Sequence, residues 1–268
     1  DEEAVDAEAA RDPTAYRSGA PAARCYEGAA VGGGSSDPLL GRDRDIERLA
    51  SFIDHASGQG GAMLVSGDPG VGKTALLDVA ARYAESSGTR LLRATGAEFE
   101  ANVSFAGLNQ LLHPLFDEID QLRPAHAEAL RVSLGLRDGP RSDQLVASNA
   151  ALALLVHAAS DSPVLALVDD LPWVDRASSA VLAFIARRTA GTRVGFLAAL
   201  RTGSETVFER AGLLDHQLEP LDDTAAAALL DERFPALAGR VRQRLLAEAG
   251  GNPLALLELP ATLARTQH

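Results

Sequence analysis

The sequence predicts an α/β chain: a five-stranded parallel sheet flanked by helices, followed by a small all-helical subdomain. Three observations predict it. Short apolar runs alternate with amphipathic helical stretches between Leu39 and Leu221, the first run ends in a glycine-rich segment that opens a helix, and beyond Leu221 the pattern is helical throughout. Strands separated by helices require right-handed crossovers, which yield a parallel sheet covered on both faces.

Residues 1–38 carry Ala, Gly, Ser, Pro and scattered acids without a 2.0 or 3.6 period, and are expected to form a disordered leader. A start at Asp1 rather than Met is expected of a piece of a longer chain. Order should begin at Leu39-Leu-Gly-Arg42, ahead of an amphipathic helix through Ile46, Leu49, Phe52 and Ile53. Ala62–Ser66 is the first strand, and a helix follows its glycine loop to about Ser87. The second strand is Arg90–Ala94. A helical insert over about 96–160 follows, with helices near 106–117, 124–134 and 142–159. Pro163–Val168 is the third strand, a helix covers about 176–189, Arg193–Ala199 is the fourth strand, and a weaker fifth lies around His216–Glu219. The α/β core thus spans 39–221 and the helical subdomain 222–268. No internal repeat is evident.

Composition narrows the function. Hydrophobic residues make up 46% and charged residues 23%, ordinary for a globular chain, but aromatics are only 4%, so Ala, Leu and Val must build the core. No apolar run approaches the roughly 18–20 residues that span a bilayer, and the acidic start is no signal sequence, so a cytoplasmic location without membrane contact is expected. The single cysteine, Cys25, precludes an internal disulfide. A formal charge of −12 repels phosphate backbones and anionic lipid, so DNA contact by this stretch is not expected. The arginines at 233, 240, 242 and 244 come closest to a basic patch, and Asp231, Glu232 and Glu248 interrupt them. Of the 25 basic residues only Lys73 is a lysine, which marks it for chemistry a guanidinium cannot serve.

Lys73 closes the segment Gly67-Asp68-Pro69-Gly70-Val71-Gly72-Lys73-Thr74, a phosphate-binding loop in its required place between strand and helix. Its glycines let backbone N–H groups curl around a β-phosphate, and the helix N-terminus adds its positive end. Lys73 would bridge β- and γ-phosphates and the Thr74 hydroxyl would ligate Mg²⁺, so the expected ligands are ATP or ADP with Mg²⁺ on a P-loop NTPase fold. The third strand ends in Asp169-Asp170, where carboxylates beside such a loop serve the ion and the attacking water. Asp169 is expected to hold Mg²⁺ through water and Asp170 to polarise the nucleophile, although such enzymes more often carry Glu there. Asp175 reads better as the cap of the next helix than as a site residue. Arg201, at the tip of the fourth strand, can reach a γ-phosphate. Arg187 and Arg188 end a helix, where the dipole favours cations, and read better so than as a finger for a neighbouring subunit.

Taken in order, Leu39–Arg42, Gly67–Thr74, Leu167-Val-Asp-Asp-Leu-Pro-Trp-Val-Asp175, Leu200-Arg201 and Gly251-Asn-Pro-Leu-Ala-Leu256 resemble the ATPase module of the large ATP-binding LuxR-type regulators, related to MalT, within the signal-transducing P-loop ATPases (the STAND class, AAA-like). The resemblance spans about residues 38–262. It implies that Leu40 to Arg42 lie against the adenine, that Pro253 packs on it from the helical subdomain, and that Arg201 is the first sensor. It further implies a switch that self-associates when ATP-bound, with a helix-turn-helix beyond this stretch acting on DNA. Family members commonly carry His where this chain has Pro172. Two alternatives are an oligomeric AAA-type motor or P-loop kinase, and a non-hydrolysing ATP-binding module. A GTPase is not expected, because the sequence has no Asn-Lys-x-Asp segment.

Overall fold

The computed structural model describes residues 39–266, except 141, 142, 205, 209 and 210. The leader expected to be disordered lies outside the described residues.

Helix α1 (Asp43–Gln59) turns Leu49, Phe52, Ile53 and Ala56 inward at helical spacing and leads into β1 (Gly61–Gly67). After β1 come α2 (Lys73–Ser86), β2 (Arg90–Thr95), α3 (Ala106–Leu112), α4 (Pro124–Ser133), α5 (Gln144–Ala158), β3 (Val164–Asp169), α6 (Arg176–Ala186), β4 (Val194–Arg201) and β5 (Leu214–Gln217). The five strands are all parallel, in the order β2-β3-β4-β1-β5.

Period-two alternation divides the sheet between two cores. Met63, Val65, Leu165, Leu167, Leu197 and Ala199 point towards α1 and α2. Their neighbours Leu64, Ala166, Val168, Phe196 and Ala198 point towards α3 to α6. Both faces are therefore covered, and β3 and β4 are buried almost end to end. A third, smaller cluster of Leu221, Ala225, Ala226, Ala249 and Leu256 holds together α7 (Asp223–Arg233), α8 (Gly239–Ala249) and α9 (Pro253–Thr266), the three helices that follow the sheet.

Two elements differ in detail from the expectation. The helix expected over 106–117 is α-helical only to Leu112 and continues as a 3-10 helix over His113–Gln121. Pro114 offers no N–H to the carbonyl four residues back and its ring crowds that carbonyl. The fifth strand runs Leu214–Gln217, two residues before its expected start, because its register on β1 is fixed by Met63 opposite Leu214. No described helix is long and apolar enough to cross a membrane.

Strand order brings three loop-bearing strand ends together. Because β4 lies between β1 and β3, the carboxyl ends of these three strands sit side by side, with Gly67 paired to Arg201 across the β1–β4 ladder and Asp169 at the end of β3.

Candidate functional site

At the end of β1 the chain leaves the sheet through Gly67-Asp68-Pro69-Gly70-Val71-Gly72 and enters α2 at Lys73. Val71 anchors the loop by burying its side chain in the core beneath α2. Gly70 and Gly72 have φ of 80° and 104°, a region open to glycine and costly for other residues. Gly72 precedes α2 without a side-chain cap, so the first-turn N–H groups, which have no partner within a helix, face the loop mouth. A Cβ on Gly72 would meet nothing within 4 Å, so the mouth has room for an anion.

The Lys73 ammonium spans this cradle, donating to the carbonyls of Gly67 (2.8 Å) and Asp68 (2.9 Å) while only 8% of the residue is exposed. Burial lowers its pKa below the usual lysine value. The Asp170 carboxylate draws it back up, Arg201 pushes it down, and Asp169 and Asp68 raise it. Asp169, Asp170 and Arg201 lie far from Lys73 in sequence, yet they act on its ammonium. Thr74 is exposed beside it.

Asp169 is buried at the end of β3, and its Oδ1 accepts the N–H of Asp170 at 2.8 Å, leaving its other oxygen for a water or an ion. Asp170 has φ 49° and ψ 50°, one of two non-glycine residues with positive φ among those described. Such strain in a non-glycine residue concentrates at functional positions. Its carboxylate lies 3.7 Å from Arg201 Nη2, and the guanidinium carbon of Arg201 is 6.0 Å from the centre of the Trp173 ring. Lys73, Asp170 and Arg201, expected to carry the chemistry, are thus brought together.

Arg42 is held by three partners. Its buried guanidinium donates to the carbonyls of Val71 (2.8 Å) and Glu219 (2.8 Å) and pairs with Asp45, so it braces the phosphate loop against the end of β5. Leu40 is half-buried beside it. Gly41 is packed so closely on α7 that a Cβ would overlap Ala225. Pro253 is the first residue of α9 and half-buried.

The residues flanking Pro253 make the contacts that sequence reasoning missed. Asn252 Nδ2 donates to the Pro69 carbonyl at 2.8 Å and Leu254 N to the Gly70 carbonyl at 3.2 Å. Asn252 Oδ1 meanwhile accepts from the N–H groups of Leu254 and Ala255, capping α9. An Asn directly before a proline-initiated helix is a capping signal legible in sequence. Its second bond, to a loop 183 residues away, is not. A Cβ on Gly70 would come within 2.8 Å of both Asn252 Oδ1 and Leu254 Cβ, so the loop and the start of α9 touch at a glycine.

Asp175 is the cap of α6, as its position suggests, and more. Its Oδ1 accepts from Ser178 N and Phe105 N, both at 2.9 Å, and its Oδ2 from Gly107 N at 3.1 Å. It therefore fastens the insert to the turn that carries Asp169 and Asp170. Arg188 stacks on Phe184 at 3.7 Å, in keeping with a helix end. A separate cleft of about 1340 Å³ opens on the insert between Phe105, Asn109, His113, Leu134 and Arg176. None of its lining residues belongs to the phosphate loop or the acidic strand end.

The family profile described as AAA ATPase domain matches residues 38–200. The chain belongs to that family. The AAA ATPase domain match ends one residue before Arg201, and helices α7 to α9 lie beyond it. No curated protein matches the sequence. Among solved structures, ORC2 of Aeropyrum pernix, in ADPNP and ADP complexes, is similar over 87% of this chain and 66% of its own, at 15% identity and a TM-score of 0.52. Drosophila ORC bound to DNA is similar over 86% and 57%, at 18% identity and 0.52. The STAND protein PH0952 of Pyrococcus horikoshii, with a tetratricopeptide repeat sensor, is similar over 78% and 28%, at 16% identity and 0.46. At these identities the likeness to the two ORC structures is one of fold. The chain spans between about a quarter and two thirds of these three.

Proposed function

We propose that this AAA ATPase domain is a nucleotide-gated switch: it binds ATP or ADP with Mg²⁺, hydrolyses ATP slowly, and serves a bacterial transcriptional regulator of the LuxR type. The contact between Asn252, Leu254 and the phosphate loop carries the reading. It makes the position of the helical subdomain depend on the conformation of the loop that would hold the nucleotide.

The cradle of Gly67 to Thr74 would take the β-phosphate, with Lys73 and Arg201 neutralising the γ-phosphoryl group. Thr74 and Asp169 would hold Mg²⁺. Such an ion would draw its remaining ligands from phosphate and water. Bound there, Mg²⁺ would supply charge neutralisation. Asp170 would orient water and accept its proton as the oxygen attacks γ-phosphorus and the bond to the ADP oxygen breaks. The ATP form would self-associate, and a helix-turn-helix beyond this stretch would contact DNA. Random duplex at low salt should leave a labelled-DNA anisotropy signal unchanged; micromolar binding with a steep salt slope would overturn that part.

Turnover measured against protein concentration tests the switch. Slow rates independent of concentration are expected, whereas rates that climb with concentration would favour the oligomeric motor that the family also admits. Base choice is a second expected outcome. ATP should displace a labelled adenine nucleotide far better than GTP does, because no guanine-reading Asp segment exists. Equal displacement by GTP would remove Leu40, Arg42 and Pro253 from the base site.

A further inference from the structure

Arg201 has an anionic and an aromatic neighbour competing for one guanidinium. That group lies 3.7 Å from the Asp170 carboxylate and 6.0 Å from the Trp173 ring centre, within range of a cation–π attraction. Both partners come from one turn. The chain leaves β3 through left-handed Asp170, whose carbonyl accepts Trp173 N at 2.9 Å, and whose own N–H is held by Asp169 Oδ1. The turn thereby presents a carboxylate and an indole to the same cation.

We propose that Asp170 and Trp173 form a seat for Arg201 that a nucleoside triphosphate empties and a diphosphate does not. The seat rests on the proposed function, in which Arg201 meets the γ-phosphate and Asp170 serves the attacking water. Held in the seat, Arg201 masks Asp170; drawn to the γ-phosphate, it releases Asp170 for its work. Relative strength decides the direction. The pair is 42% and 37% exposed and longer than a hydrogen bond, the class of ion pair that contributes little. A guanidinium fork on a phosphate is charge-assisted and stronger. The γ-phosphate wins, but its affinity is reduced by the free energy needed to empty the seat. Asp170 and Trp173 therefore act as positioning residues that set the selectivity for triphosphate over diphosphate.

The test is a double-mutant cycle on affinity. Dissociation constants of Mg²⁺·β,γ-imido-ATP and Mg²⁺·ADP are measured by calorimetry for the parent chain, Asp170→Asn, Arg201→Gln and the double variant. Asparagine tolerates the left-handed backbone at position 170, and retained ADP binding certifies each fold. Asp170→Asn should raise the preference for the triphosphate about three- to fivefold in the parent background, the scale of an exposed ion pair, and leave it unchanged in the Arg201→Gln background. Equal gains in both backgrounds would mean that Asp170 simply repels the triphosphate, and no gain in either would mean that the pair does not compete; each overturns the proposal. If the parent binds neither nucleotide, the functional reading falls with it. Trp173, the one tryptophan of the chain, gives a second readout. Its emission should change with the triphosphate but not with ADP, and Arg201→Gln should abolish the difference. Identical emission with both nucleotides in the parent would contradict the seat.

Discussion

Lys73→Ala should abolish the stabilisation of this chain by Mg²⁺·ADP. A ligand at 100 times its dissociation constant adds about 2.7 kcal/mol to folding stability. For a chain of this size that corresponds to a rise of about 5–10 °C in melting temperature. Lys73 is the cation of the cradle, and no other lysine exists to replace it. The substitution leaves the Gly67 carbonyl with the N–H of Thr202 (3.2 Å) and the Asp68 carbonyl with that of Val71 (3.3 Å), and alanine suits the first turn of α2. The variant should therefore fold and melt near the parent temperature, with the nucleotide response gone. Thermal melts with and without 100-fold excess Mg²⁺·ADP measure it. A variant with the full parental shift would remove the phosphate loop from the nucleotide site.

Asp175→Ala should cost the fold about 3–5 kcal/mol, because it removes one acceptor from three backbone N–H groups in a site where water is scarce. Asp175 is 3% exposed, and its bonds to Ser178, Phe105 and Gly107 join the N-termini of α6 and α3. Phe105 stands in the left-handed conformation (φ 64°) as the residue preceding α3, a geometry that the carboxylate holds in place. A loss of this size is a large share of the roughly 5–15 kcal/mol typical of a domain. Urea denaturation would register it as a lower midpoint. A midpoint within experimental error of the parent would show that the clamp is dispensable. Asp175→Asn should lie between the two, since it keeps one acceptor oxygen and turns an amide donor towards another N–H.

The local elements were legible because local physics dictates them. Alternating apolar runs such as Met63-Leu-Val65 and Leu165-Ala-Leu-Val168 have no stable home except a sheet covered on both faces. The phosphate loop was legible for a comparable reason: three glycines at positive φ, one lysine and a helix start within eight residues form a nearly complete anion cradle by themselves. Asp175 as a helix cap followed from its place before Ala177-Ser178-Ser179. Where a local signal was ambiguous, the boundary moved, as at Pro114, whose ring ends the α-helical hydrogen-bond pattern.

What the sequence by itself determined, then, is the set of strands and helices, their parallel arrangement, and the residue types of the phosphate loop and acidic strand end. Only the tertiary structure decided which distant groups meet. Strand order placed Arg201 between Gly67 and the β3 terminus, and so beside Asp170. Packing gave the Arg42 guanidinium to Val71 and Glu219, and the Asn252 amide to Pro69. It gave Asp175 two backbone donors from the start of α3, 70 and 68 residues earlier in the chain. The physical reason is the same in each case. Periodicity and turn chemistry act over a few residues, whereas a buried guanidinium, amide or carboxylate must find partners wherever the folded chain brings them, and no local spacing records which ones those are.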